Sequence, residues 1–378
     1  MTLIAMAPRR SIARFIARSF VTRGKPSSCA ELPRMHDRSG FSTLLGIEGN
    51  VRLDQVESAA LAGNPLGDPA TRTVAVYLPP GYDPEGSARY PALYVLHGYT
   101  ANVGALLSSR PWEVNSVQWA DRLIGSKRMR PSLVVLVDGF TRLGGSQYVD
   151  SIHNGNYATY TVADVVAHVD RSYRTIAAEG GRAVLGKSSG GFGAMHLVLE
   201  RPGVFAAFAS HSGDAYFRYA HIPAFTTMDR TLERHDYDIR RYLDDFEKRP
   251  KRGAADYTTM EMLAYAAAYS PRSATAFDID LPFEPRTGEL RDDVFARWLA
   301  YDPAERVAGA RDALARLRLR YLDCGRRDEY NLDTGARVVA QRMRDLGLEV
   351  RHEEFDDGHR NVDYRCEISL PALTAVLD

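Results

Sequence analysis

The stretch Arg182-Ala183-Val184-Leu185-Gly186-Lys187-Ser188-Ser189-Gly190-Gly191, followed by Phe192-Gly193-Ala194-Met195-His196-Leu197-Val198-Leu199-Glu200, decides the fold. Its opening reads as a short apolar strand and its close as a helix. Between them lies the pattern G-x-S-x-G, from Gly186 to Gly190, which has no second match in the chain. A serine on a sharp strand-to-helix turn has its hydroxyl held out at the edge of a sheet. Glycines suit such a turn because the neighbouring backbone passes close by. The helix N-terminus behind the serine favours developing negative charge. The rival reading is a glycine-rich turn that binds an anion such as phosphate. A Walker loop would need GxxxxGK[ST], which is absent, and a dinucleotide loop would come near the first βαβ unit, whereas this motif comes late.

Working outward, the segments 51–59 and 71–78 read as strands joined through the turn signal Gly63-Asn64-Pro65-Leu66-Gly67-Asp68-Pro69, which predicts a hairpin. Short apolar runs follow at 90–96, 132–137, 182–185, 204–209, 317–322 and 350–354. Runs this apolar suit strands covered on both faces. Helical patterns alternate with them at 114–123, 162–172, 193–199, 332–346 and 370–377, which predicts an α/β doubly wound domain. In such sheets the ligand site lies beyond the carboxyl ends of the strands, where His97, Asp138, Ser188 and Asp328 fall. Residues 214–305 break the alternation. They are rich in Tyr, Arg, Asp and Ala, show helical patches such as 257–268 and contain no buried-strand run, so they read as a mainly helical cap. The expected organisation is a basic extension over 1–45, a core over 46–213 and 306–378, and the cap over 214–305.

In this architecture the chain order is nucleophile, acid, histidine. His359, in Asp356-Asp357-Gly358-His359-Arg360-Asn361, follows the last strand on a loop, and its neutral imidazole suits it to accept a hydroxyl proton. The acid should follow the strand at 317–322. Asp328 sits just past a glycine turn there, with Asp323 and Glu329 as rivals. Its role would be to fix the imidazole tautomer and stabilise the imidazolium. The turn His97-Gly98-Tyr99-Thr100 should supply one oxyanion donor, the N–H of Tyr99 or of Thr100. The N–H of Ser189 should supply the other. Each such donor is worth roughly 3 kcal/mol to a tetrahedral transition state. Tyr148, in Gly144-Gly145-Ser146-Gln147-Tyr148, and Tyr216 and Phe217 at the start of the cap are candidate substrate contacts, as is Thr100. The rival readings are a simple turn around Thr100, a plain Ω-like loop for Tyr148, and packing of the cap for Tyr216 and Phe217. Glu353, Glu354, Asp356, Asp357 and His359 form an acidic cluster, but consecutive carboxylates on a strand end alternate in direction, so no metal site is expected.

As an ordered set, VYLPPGYD (76–83), YPALYVLHGYT (90–100), GKSSGGFGAM (186–195), HSGDAYF (211–217), YLDCGRRDEYNL (321–332) and FDDGHR (355–360) resemble the esterase family that includes esterase D, feruloyl esterases, enterochelin esterases and mycolyltransferases. The resemblance implies an α/β-hydrolase fold, with a mostly parallel central sheet flanked by helices. It also implies a serine carboxylic-ester hydrolase acting through an acyl-enzyme. On that pattern Ser188, Asp328 and His359 are catalytic, and Tyr99 and Ser189 form the oxyanion hole. The cap is longer than in esterase D, so the resemblance does not extend to a particular ester. An acyltransferase on the same scaffold and a non-catalytic binding protein with a hydrolase fold are the alternatives.

Composition sets outer limits. The 378 residues carry 48 basic and 48 acidic side chains, so no global field favours nucleic acid. Three cysteines, Cys29, Cys324 and Cys366, lie far apart, which argues against a disulfide framework and for a reducing, cytoplasmic setting. No run approaches the roughly 20 apolar residues of a membrane span. Arg9, Arg10, Arg14, Arg18, Arg23 and Lys25 precede the first acid, Glu31, in a pattern like a transit peptide, a basic amphipathic anchor or a disordered extension. No metal or organic cofactor is implied. The expected partner is a small-molecule ester, and the oligomeric state is open, with a homodimer compatible.

Overall fold

A computed structural model of the protein describes residues 40–378. The basic N-terminal stretch and Cys29 lie outside the described residues. Eight strands form one sheet: β1 Asn50–Glu57, β2 Thr71–Leu78, β3 Ala92–Leu96, β4 Leu133–Val137, β5 Arg182–Lys187, β6 Ala207–His211, β7 Leu319–Gly325 and β8 Arg351–Phe355. Their order is β1-β2-β4-β3-β5-β6-β7-β8. β1 and β2 form the antiparallel hairpin that the turn signal predicts, and β2 runs antiparallel to β4. The six strands β3 to β8 are mutually parallel.

Every residue of β3 and β4 is buried, which is why those runs are apolar without alternation. Tyr94 and Leu96 of β3 face one layer of helices, together with Leu197 of helix Ser189–Glu200 and Val339 of helix Leu332–Asp345. Leu93 and Val95 face the other layer, with Val117 and Leu123 of helix Ser116–Gly125 and Leu370 and Leu373 of helix Cys366–Ala375. This is the α/β-hydrolase architecture.

Boundaries shift where hydrogen bonding, not hydropathy, sets them. β7 runs on through Asp323 and Cys324 to Gly325, because β8 pairs with it over that length. Helix Gly40–Leu45 lies inside the span read as an extension. It buries Ser42 and Leu45, and the Gln118 side chain holds the Leu45 carbonyl at 2.8 Å, so the folded core begins before residue 46.

The segment 214–305 is mainly helical and includes Ile222–Glu233, Ile239–Lys248, Ala254–Tyr269 and Asp292–Leu299. Phe225, Met228, Leu263, Tyr269, Phe295 and Trp298 give it an apolar core, which reaches the main domain through Phe192. Its two ends are tied by Asp302. This fully buried carboxylate accepts from the backbone amides of Tyr216 at 2.8 Å, Phe217 at 2.7 Å and Ala304 at 2.9 Å. In Asp302→Ala these donors lose their acceptor in the interior, and the loss expected from urea unfolding is about 3 kcal/mol.

Candidate active site

β5 ends at Lys187, and the chain turns at Ser188 into helix Ser189–Glu200. Ser188 adopts φ 58° and ψ −127°, a conformation that side-chain-bearing residues rarely populate. Packing imposes it. A Cβ on Gly190 would lie 2.1 Å from the Leu96 carbonyl oxygen, so the helix start sits directly against β3. Gly190→Ala must force these backbones apart, at an expected cost of about 3 kcal/mol or more, read as a fall in Tm together with loss of Ser188 reactivity.

The turn brings Ser188 Oγ to 3.0 Å from His359 Nε2, and His359 Nδ1 lies 2.8 Å from Asp328 Oδ2. Next to an ionised carboxylate, Nδ1 carries the proton and donates it, leaving Nε2 to accept from the serine hydroxyl. Burial raises the Asp328 pKa, but the hydrogen bond and charge of His359 outweigh burial, and the carboxyl is held below its usual range. Asp328 Oδ1 accepts from the Tyr330 amide at 2.9 Å. The Tyr330 ring packs edge-on against His359 at 4.8 Å. His359 and Asp328 are both buried, so the relay is shielded from water on most sides.

The rival acids have other partners. Asp323 accepts from Arg365 Nε at 2.8 Å and from Tyr321 Oη at 2.8 Å, and it lies 2.7 Å from His211 Nδ1. These bonds bury it within a structural network below the site. Glu329 Oε2 accepts from the His359 backbone amide at 2.8 Å, and that bond lowers its pKa. Glu329 therefore anchors the histidine loop without touching the imidazole. In the acidic cluster, Glu353 pairs with Arg351 and Arg365, Glu354 with Arg337, and Asp356 with Arg327.

The turn 97–100 is held open by its neighbours. His97 Nε2 accepts from the Gly139 amide at 2.9 Å, so His97 Nδ1 carries the proton and donates to the Gly98 carbonyl at 2.8 Å. The Thr100 amide donates to the Gly144 carbonyl at 2.9 Å. That bond already engages the Thr100 amide. The Tyr99 hydroxyl donates to the Leu143 carbonyl at 2.8 Å. A Cβ at Gly144 would lie 2.8 Å from the Tyr99 ring, which accounts for a glycine there, at φ 99°. Among the described residues the backbone amides of Tyr99 and Ser189 have no hydrogen-bond acceptor.

A cavity of about 960 Å³ opens over these groups, lined by Tyr99, Thr100, Ser188 and His359 and by residues of the cap. Three expected substrate contacts are corrected. Tyr148, Tyr216 and Phe217 do not line it. Tyr148 is buried and donates to the His97 carbonyl at 3.0 Å, which holds the 97–100 turn in place. Phe217 packs against Phe192 in the cap core, and Tyr216 against Tyr219. Each is an aromatic whose apolar face found protein before it could reach the cavity. Sequence reading missed His221, Glu261 and Tyr265 of the cap and Asp214 at its start, all of which line the cavity. The spacing of Tyr257, Glu261 and Tyr265 was the available signal, but it cannot say which face of a helix meets a cavity.

Comparison with known proteins agrees with this architecture. Residues 69–370 match the family model described as putative esterase. The chain is 34% identical over 146 residues to Esterase Rv1288 of Mycobacterium tuberculosis, a stretch covering 38% of this chain and 30% of that protein. It is 28% identical over 148 residues to an endo-1,4-beta-xylanase/feruloyl esterase of Xylanibacter ruminicola, covering 38% of this chain and 20% of that protein. The matched stretches thus span less than a third of these relatives. Among solved structures, a ferulic acid esterase superposes with a TM-score of 0.55 at 19% identity, covering 88% of this chain and 100% of the other. An S-formylglutathione hydrolase from Agrobacterium tumefaciens superposes with a TM-score of 0.54 at 15% identity, covering 88% and 97%. The structural likeness carries the fold, and the family model, which takes in β3 to β8 with the serine turn and the histidine loop, carries the rest: this chain belongs to the putative esterase family.

Proposed function

We propose that the protein is a serine carboxylic-ester hydrolase that works through an acyl-enzyme. The observation that carries this reading is the unbroken line from Ser188 Oγ through His359 to Asp328, at 3.0 and 2.8 Å, beside two unoccupied backbone donors in an open cavity. Ser188 Oγ attacks the ester carbonyl as His359 Nε2 takes its proton. The Tyr99 and Ser189 amides receive the oxyanion. His359 returns the proton to the departing alcohol. Water then enters, gives a proton to Nε2 and bonds to the acyl carbon; the bond to Ser188 Oγ breaks, Oγ takes the proton back from Nε2, and the acid leaves.

A fluorophosphonate probe tests this without knowledge of the ester. The expected result is stoichiometric labelling that is abolished in Ser188→Ala. A folded wild-type protein that stays unlabelled would instead support the binding-protein reading. The substrate is a small-molecule ester, and the binding wall under the cap sets which one. Among the described residues no helix is long and apolar enough to cross a membrane. Cys324 and Cys366 are unpaired and buried, which supports a reducing compartment.

A further inference from the structure

Helix Ala254–Tyr269 presents Tyr257, Thr258, Glu261, Met262 and Tyr265 to the cavity, a spacing that places them on one helical face. Tyr265 Oη lies 2.9 Å from Asp214 Oδ2, 3.1 Å from Glu261 Oε1 and 3.3 Å from Ser189 Oγ. One hydroxyl proton cannot serve both carboxylates. Asp214 has one further partner, the Gln147 amide at 3.2 Å, and neither acid forms an ion pair among the described residues. Without a cation, two neighbouring buried carboxyls cannot both ionise cheaply, so one of the pair keeps its proton. The same wall contains His221, whose ring lies 4.8 Å from that of Tyr265 and whose buried Nε2 has no hydrogen-bond partner.

A cationic occupant of the cavity is what could take the place of that carboxyl proton. Building on the hydrolase reading above, we propose that Asp214, Glu261, Tyr265 and His221 form a subsite for a cationic nitrogen, an ammonium group carried on the acyl part of the ester. The acyl part is the one concerned because the leaving oxygen must face His359 Nε2. The acidic cluster adjoins Ser189 through the Tyr265 hydroxyl at 3.3 Å, and Asp214 also lies within electrostatic reach of His359 and Asp328. An ammonium group supplies up to three donors, which match two carboxylates and a neutral imidazole nitrogen. The groups facing Glu261 are Asp214, Tyr265 and Tyr99, with His221 beyond Tyr265. Burial and Asp214 push the Glu261 pKa up to about 8, and burial pulls His221 down to about 3. His221 is therefore uncharged at neutral pH, and Glu261 is largely protonated. A bound cation replaces that proton, so the subsite strengthens as pH rises through about 8.

The experiment compares p-nitrophenyl esters of graded chain length, each bearing a terminal ammonium, a methyl in its place, or a hydroxyl. At one chain length or more, the ammonium ester should exceed its methyl isostere in kcat/KM by about tenfold or more. That ratio should climb between about pH 6 and pH 9. In Glu261→Gln it should fall below about twofold and lose its pH dependence. If the variant does not fold, the wild-type ratio against pH carries the test. A ratio near one at every length, or an equal and pH-independent gain for the hydroxyl ester, would overturn the cationic subsite while leaving the esterase intact. Absence of cleavage of every ester, with Ser188 unlabelled by the fluorophosphonate, would overturn the hydrolase reading itself.

Discussion

Ser188→Ala is expected to lower kcat for any ester this protein cleaves by at least about 10⁴-fold, about 5.4 kcal/mol of transition-state stabilisation. The size follows from what is removed. Without Oγ there is no acyl-enzyme, and His359 Nε2, 3.0 Å from the vacated position, has no hydroxyl to deprotonate. The Tyr99 and Ser189 amides remain, so a residue of catalysis by oriented water should persist above the uncatalysed rate. Tm should change little, because the strained turn is set by the packing of Gly190 on Leu96 and not by the hydroxyl. Pre-steady-state kinetics with an excess of a p-nitrophenyl ester separates the two effects: the burst disappears, and substrate binding stays within a few-fold of wild type. A variant that keeps the wild-type kcat would end the proposal.

The second large effect is expected from Asp328→Asn, which should lower kcat by about 10⁴-fold with little change in shape. An amide can turn its NH₂ toward His359 Nδ1. The imidazole would then carry its proton on Nε2, facing Ser188, where it cannot accept the hydroxyl proton. The Tyr330 amide, now bound to Oδ1 at 2.9 Å, would still find a carbonyl oxygen, so the local fold should survive. The pH behaviour gives a second check. The Asp328 carboxyl is held below its usual range, so it contributes stability at neutral pH that is lost only as pH falls through that depressed value. The variant should lack this part of the acid dependence of Tm. Asp323→Asn should behave differently. It breaks a buried network with His211, Arg365 and Tyr321 and should therefore cost stability first and rate second.

The sequence by itself determined the alternation of buried strands and helices, because a strand covered on both faces must be apolar throughout, and that can be read from 133–137 without a structure. It also singled out Ser188 as the candidate, since Gly186 and Gly190 mark a turn in which backbone passes within contact distance of backbone. The histidine followed from chain order and its loop. The choice among Asp323, Asp328 and Glu329 was decided only in three dimensions. They lie within seven residues of one another and are chemically alike, and β7 runs further than its hydropathy shows, which draws Asp323 into the sheet. The tertiary structure alone also decided the walls of the cavity. Tyr148, Tyr216 and Phe217 are aromatic enough to bind a substrate, but Tyr148 and Phe217 bury their rings in protein and the half-buried Tyr216 packs against Tyr219. Asp214 and Glu261, 47 positions apart in sequence, meet on one tyrosine hydroxyl because helix Ala254–Tyr269 returns to the segment that follows β6. Periodicity records which residues share a face of one element. Which face of another element it meets depends on long-range packing, which local pattern does not encode.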